Sequence, residues 1–240
     1  MGLADVGGYV LAGGKSSRMG QDKALLELAG KPLVLHAVTK LRLVCEDVAI
    51  LSNRPELEVF APLVRDLHEG CGPMGGLEAA LEHSHHEWSL FMPVDMPFLP
   101  AAFLDNWMRE VVVGGQDARV AMFTVDGLPQ PLICLLHKDV RPFVREAMER
   151  GQYKVFPVLE ATANRLAARR EAASGRAFWN RPWEESAESF LCSGEGGAGE
   201  RGALRPLTEG QRAARHLWFA NLNTPEEFAE AGRYQDALDT

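Results

Sequence analysis

Cysteine is scarce in this sequence. Cys45, Cys71, Cys134 and Cys192 lie far apart in 240 residues, with no Cys-x-x-Cys pair. That excludes a disulfide framework and a thiolate zinc site, and predicts reduced thiols. Basic charge is also short: 25 Lys and Arg face 33 Asp and Glu, a formal net charge of −8. General nucleic-acid binding needs a positive surface that such a chain lacks. No apolar run approaches the roughly 18 residues of a membrane helix. Met1 to Val10 has no basic residue and runs directly into strand-like sequence, unlike a secretory leader. The absences together predict a cytoplasmic protein that engages neither membrane nor nucleic acid. What is present suffices for a core: 46% of the residues are apolar, too many for a disordered chain. The length allows one large domain or two small ones.

Strand and helix signals alternate through the first two thirds of the chain. Val6 to Ala12 reads as a short buried strand that breaks at Gly13-Gly14. From Pro32 to Val44, Leu33, Ala37, Leu41 and Val44 recur at helical spacing. Asp47 to Leu51 and Pro62 to Arg65 are strand candidates separated by the turn-prone Ser52-Asn53-Arg54-Pro55, and Gly72-Pro73 opens a helix through Leu81. Trp88 to Val94 is the clearest central strand and ends on Asp95. Pro100 to Val113 reads as a helix, and Ala118 to Val125 and Pro131 to His137 as strands joined through Asp126-Gly127. Asp139 to Arg150 is a further helix, stopped by Gly151. This order implies a layered α/β domain with a mostly parallel sheet. In such sheets ligands sit beyond the carboxyl ends of the strands. Gly13-Gly14, Asn53 and Asp95 stand at three such ends, so they are expected to converge.

The final third is less regular. Arg169 to Arg215 shows no sustained periodicity and contains the glycine-rich run Ser193 to Gly202. It reads as a flexible insertion at 169–215 within a single domain of residues 1–240. Leu217 to Leu222 then reads as a returning strand. The helix start Asn223-Thr224-Pro225-Glu226 follows it.

Against the acidic background, the segment Gly13 to Lys23 carries Lys15, Arg18 and Lys23 but only one acid, Asp22. Two glycines after a strand let backbone amides approach a ligand closely, and such nests favour anions. With three cations in the same loop, the chemistry suits a polyphosphate. A P-loop is excluded, because the position five residues before Gly14-Lys15-Ser16 is Tyr9 rather than glycine. Gly13, Gly14 and Gly20 do not supply the Gly-x-Gly-x-x-Gly of dinucleotide folds either.

Leu11-Ala-Gly-Gly-x-x-x-Arg18-Met-Gly-x-Asp22-Lys23 resembles the signature of the molybdenum cofactor guanylyltransferases (MobA-type). The resemblance continues in Gly30-Lys-Pro-Leu33, Gly72-Pro-Met-Gly-Gly76, Pro93-Val-Asp-Met-Pro-Phe-Leu99 and Asn221-Leu-Asn-Thr-Pro-Glu-Glu227. It covers most of Gly8 to Glu160 and Leu217 to Ala231. The first motif is shared broadly with sugar and lipid-precursor nucleotidyltransferases, and the Asp95 and Asn223 elements narrow the match. The resemblance implies a three-layer, Rossmann-like nucleotidyltransferase (glycosyltransferase-A-type) fold. It implies GMP transfer from GTP to the phosphate of molybdopterin, with Mg²⁺ as cofactor and pyrophosphate as leaving group. It also implies transient contact with molybdoenzymes or other cofactor-assembly proteins.

Site residues carry over one by one. Leu11, Ala12 and Gly13 would hold the nucleotide through their backbone, and Lys23 would sit on the phosphates. Arg18 would stabilise the leaving pyrophosphate, Lys15 being a weaker match. Asp95 would hold Mg²⁺, Asp66 would contact the nucleotide, and Asn221 and Asn223 would lie on the acceptor side. For the guanine-contacting asparagine, Leu51 and Asn53 compete; Asn53 is chosen because leucine cannot pair with a guanine edge. The loop Arg18-Met-Gly-Gln-Asp-Lys23 is one residue shorter than the family's usual form. Gly13-Gly14, where the cytidylyltransferase relative usually shows Ala-Gly, favours guanine. Cytidylyl or uridylyl transfer to another phosphorylated acceptor, or non-catalytic cofactor delivery, are the alternatives. Asp95 in isolation could equally be a helix cap. His83, His85 and His86 read as an exposed loop rather than a metal site. Trp218 is expected in the core, with Trp179 and Trp183 anchoring the insertion.

Overall fold

The computed structural model describes residues 5–13, 22–114, 117–169, 177–193 and 206–239. Lys15 and Arg18 lie outside the described residues. In chain order the elements are β1 (Val6–Leu11), β2 (Glu27–Leu28), β3 (Lys31–Pro32), α1 (Leu33–Val44), β4 (Asp47–Leu51), β5 (Leu63–Val64), α2 (Pro73–His83) and β6 (Trp88–Pro93). They continue as α3 (Ala101–Arg109), β7 (Val120–Val125), β8 (Leu128–His137), α4 (Arg141–Glu149), α5 (Val155–Arg169), β9 (Phe178–Pro182), α6 (Trp183–Ser193), α7 (Glu209–Ala213) and α8 (Pro225–Ala231).

One seven-stranded sheet runs in the order β5-β4-β1-β6-β8-β7-β9. β5, β4, β1 and β6 are parallel, β8 is antiparallel to both β6 and β7, and β9 runs parallel to β7. The sheet is therefore mostly parallel, as the alternation of elements implied. Its residues alternate between two apolar layers. Val6, Val10, Ile50, Leu90 and Met92 pack with α1 and α3; Tyr9, Leu51 and Phe91 pack with α2, α4 and α5 on the other face. β6 is buried along its whole length, which explains why its residues are apolar apart from Ser89. Leu33, Ala37, Leu41 and Val44 all face the core, as their spacing required.

Local signals set the turns. Asp126 and Gly127 both have positive φ (51° and 75°) and join β7 to β8, the backbone that suits a two-residue hairpin. β8 consequently starts at Leu128, three residues before the sequence expectation. α3 ends at Arg109 and continues as a π-helical turn over Glu110–Gly114, where one α-helix to Val113 was expected.

Three further differences have physical causes. α5 has its buried residues at Val155, Val158, Leu159, Thr162, Ala163 and Leu166, a regular helical stripe. Pro157 in its first turn disguises it, since a proline there forfeits no helical hydrogen bond. Within 169–215, where no periodicity was found, β9 extends the sheet and α6 packs Phe190 edge-on against Phe103 (6.2 Å). β9 is an outer strand, where Pro182 is tolerated. Residues 217–222 do not form the expected strand. β6, beside which the segment runs, already has β1 and β8 as neighbours; the segment instead bonds the loop after β6, from Leu222 N–H to the Asp95 carbonyl (3.0 Å).

Trp218 is fully buried, and its indole N–H donates to the Gln211 carbonyl (3.0 Å). Trp179 packs on Phe123 and Trp183 on Phe219, so both anchor this segment to the body. Cys45, Cys71 and Cys134 are free and buried. Among the described residues no helix is long and apolar enough to cross a membrane.

Candidate active site

The chain leaves β1 towards β4 on one side and later returns to β6 on the other. A crevice at the carboxyl ends of the strands follows from that reversal. The ends of β1, β4 and β6 deliver Ala12-Gly13, Ser52-Asn53 and Val94-Asp95 to it. Asn223, ahead of α8, comes to the same place from the far end of the sequence.

Lys23 is the junction. Its ammonium donates to Asp95 Oδ2 (2.7 Å) and to Asn223 Oδ1 (2.6 Å). The Lys23 and Asp95 side chains are 19% and 20% exposed, so the pair is shielded yet reachable. Asp95 Oδ1 is buried and has no hydrogen-bond partner among the described residues. A buried carboxylate oxygen left without a donor is costly, and the deficit fits a hard cation, which needs few protein carboxylates when phosphate oxygens complete its shell. Asp95 caps none of the described helices: α3 starts at Ala101, whose N–H is bound by Asp239 Oδ2 (3.0 Å).

Asn223 is itself held. Thr224 and Glu227 form a reciprocal capping box at the start of α8, and the Glu227 carboxylate also accepts from the Asn223 N–H. Asn223 Nδ2 donates to the Asn221 carbonyl (3.2 Å). Asn221 therefore supports Asn223 through its backbone.

Asn53 and Asp66 form a second cluster. The Asn53 amide donates to Asp66 Oδ2 (3.3 Å) and its carbonyl accepts the Asp66 N–H (3.0 Å). Burial raises the Asp66 pKa, and the Asn53 bond opposes that shift. The two clusters are linked by Arg54. Its guanidinium donates to the Ala12 carbonyl (2.8 Å) and pairs with Asp22, whose other oxygen caps the helical turn carrying Lys23. A continuous polar chain thus runs from Asn53 and Arg54 through Ala12 and Asp22 to Lys23, Asp95 and Asn223. Leu11, Ala12 and Gly13 lie along it, Ala12 N–H bonding the Leu51 carbonyl (3.3 Å). Arg18 lies outside the described residues.

Two residues here went unread in the sequence. Arg54 looked like part of a turn. Lys40 drew no expectation; it is 1% exposed and donates to the carbonyls of Pro97 (2.6 Å) and Met96 (3.4 Å), with Asp239 at 3.6 Å. It clamps the loop that carries Asp95. Burial lowers its pKa from 10.5 to about 8, against the pull of Asp239. The signal was available: Lys40 is a charged residue on the same face as Leu33, Ala37 and Val44.

Residues 8–179 match the MobA-like NTP transferase domain. The chain belongs to that family. It is 34% identical over 184 residues to the molybdenum cofactor guanylyltransferase of Serratia proteamaculans, covering 73% of this chain and 89% of the relative. A Vibrio atlanticus protein of the same name is 33% identical over 151 residues, 61% of this chain and 76% of the relative. The solved structure of molybdopterin-guanine dinucleotide biosynthesis protein A from Archaeoglobus fulgidus has the same fold, with a TM-score of 0.68 at 20% identity, over 97% of this chain and all of that one. A nucleotidyl transferase from Methanothermobacter follows at a TM-score of 0.59 and 15% identity, covering 96% of this chain and 97% of that one. As a member of the family the chain is a nucleotidyltransferase. The matched span includes Lys23, Asn53, Asp66 and Asp95. Asn221 and Asn223 lie beyond it, and the fold brings Asn223 onto Lys23.

Proposed function

We propose that this protein transfers GMP from GTP to the terminal phosphate of molybdopterin, releasing pyrophosphate and forming the molybdopterin guanine dinucleotide. The observation that carries the reading is Lys23 held between Asp95 and Asn223, beside an Asp95 oxygen with no partner among the described residues, at the strand reversal of a chain in this family. Asp95 would hold Mg²⁺, which supplies charge neutralisation of the phosphates when bound. Leu11, Ala12 and Gly13 cradle the nucleotide through their backbone. Asn53 and Asp66 offer an amide and a carboxylate, the donor and acceptor that the carbonyl and amino edge of guanine requires. Lys23 exchanges its contact with Asp95 for the phosphates, and Arg18 takes the charge of the departing pyrophosphate.

The reaction is in-line: a molybdopterin phosphate oxygen forms a bond to the α-phosphorus as the bond to the bridging oxygen of pyrophosphate breaks. The attacking oxygen is already anionic, so no protein base is needed. Rate enhancement then comes from positioning and charge compensation. Asn223 and Asn221 define the acceptor side. The working protein is a cytoplasmic single domain, with 169–215 an insertion and with transient contacts to molybdoenzymes or other cofactor-assembly proteins.

The test is incubation with labelled GTP, Mg²⁺ and isolated molybdopterin, followed by pyrophosphate release and product mass. The expected result is stoichiometric pyrophosphate with GTP and little with CTP. Equal turnover of CTP, or no turnover of either, refutes the assignment.

A further inference from the structure

At the opposite end of the sheet lies a cluster that nucleotide transfer does not use. Asp47 opens β4, and His85 and His86 stand just ahead of β6. His86 is buried, contrary to the exposed loop expected for these histidines, while His83 and His85 are exposed. Asp47 Oδ2 is 3.0 Å from His86 Nε2 and 3.4 Å from His85 Nε2. One ligand atom from each of the three residues lies within 4.8 Å of the others.

The two spacings from Asp47 lie near those of neighbouring ligands on a metal. Bond lengths near 2.0–2.2 Å in a tetrahedral shell put neighbouring ligand atoms about 3.3 Å apart. The surroundings favour the right form of His86. Its other nitrogen, Nδ1, faces Asp5 Oδ1 (3.5 Å) and Glu46 Oε2 (4.0 Å). Without an ion, Nε2 is hydrogen-bonded to Asp47 Oδ2; once a cation takes Nε2, the carboxylates beside Nδ1 hold the ring proton on that side, the usual outer support of a ligating histidine. The ring also has space made for it: a Cβ at Gly7 would stand 2.9 Å from His86 Cδ2. Charge points the same way. Among the described residues, Asp5, Glu46 and Asp47 have no salt-bridge partners other than His85 and His86, whereas Glu87 has Lys138 (2.6 Å).

We infer that Asp47, His85 and His86 form a second metal site, distinct from Asp95, for a divalent ion of the zinc class. Two imidazoles and one carboxylate select Zn²⁺ or its neighbours over Mg²⁺ or Ca²⁺. Because Gly7 pairs with Asp47 and Val6 with Trp88, the ion would tie together the starts of β1's two neighbours. Its role is structural, at the end of the sheet away from the nucleotide.

The test uses the full chain, stripped with chelator and titrated with Zn²⁺ by equilibrium dialysis, with Co²⁺ absorption reporting the ligand geometry. One Zn²⁺ per chain is expected in the parent and in Asp95→Ala. The affinity should fall at least tenfold in His85→Ala and in Asp47→Asn. Both altered side chains are exposed (75% and 66%), so folding should survive, and His85→Ala should keep the parental rate of pyrophosphate release with Mg²⁺. Unchanged zinc affinity in His85→Ala, or zinc binding that disappears in Asp95→Ala, overturns the inference.

Discussion

Replacing Lys40 with methionine gives a pH signature that can be worked from the structure. The Lys40 ammonium is 1% exposed, and burial brings its pKa from 10.5 down to about 8. Below pH 8 the lysine is protonated in both folded and unfolded chains, and the full cost of burying the charge is present. Between about 8 and 10.5 the unfolded chain holds one proton more than the folded one, so stability rises with pH over that window. Above it the two states agree again and the gain is complete. The gap corresponds to about 3 kcal/mol. Urea unfolding of the parent and of Lys40→Met should be measured at intervals across the window. The difference in unfolding free energy, parent minus variant, should climb by up to about 3 kcal/mol in the parent's favour. Burial also raises the pKa values of Cys45 and Cys134, which erodes stability at high pH, but both proteins share that loss and it cancels. A flat difference, or one that falls with pH, would refute the burial of a charged Lys40. Since its Nζ holds the Met96 and Pro97 carbonyls, the variant should also turn over more slowly, through misplacement of Asp95.

Asp95→Ala should abolish pyrophosphate release while circular dichroism and melting temperature stay near the parent's; an active variant sinks the assigned role. Lys23→Ala should lower kcat roughly a hundredfold, the scale for loss of one preorganised charge-stabilising donor, measured by the same release assay. Asn53→Ala or Asp66→Asn should erase the difference between GTP and CTP in ligand-induced melting shifts, and retention of full GTP preference would exclude the pair from base recognition. Thr224→Ala removes the side-chain half of the α8 capping box, and should cost about 1 kcal/mol in chemical denaturation.

Most secondary structure could be read because its causes are local. The helical spacing of Leu33, Ala37, Leu41 and Val44, the apolar run into Asp95, and the Thr224-Pro225 start all act within a few residues. α5 had an equally regular stripe and was hidden by Pro157. The polyphosphate chemistry of Gly13 to Lys23 was also visible, since a double glycine and clustered cations are a local pattern. The motifs of this loop, Asp95 and Asn223 pointed to the family that residues 8–179 match.

Proximity was another matter. Lys23 meets Asp95 across 72 positions and Asn223 across 200; the order of strands predicted that the strand ends converge, but not that these three side chains bond one another. They follow from which strands become neighbours, which is decided by packing apolar faces that are remote in sequence. The same packing gave β6 two partners and so turned residues 217–222 into a loop instead of a strand. It buried Lys40 beneath the Asp95 loop and tucked His86 against Gly7 among carboxylates from the starts of two other strands. Residue types and their local order determined what chemistry this chain carries. The sheet alone decided which of those groups stand within bonding distance, because that depends on free energy gained by burying surfaces the sequence keeps apart.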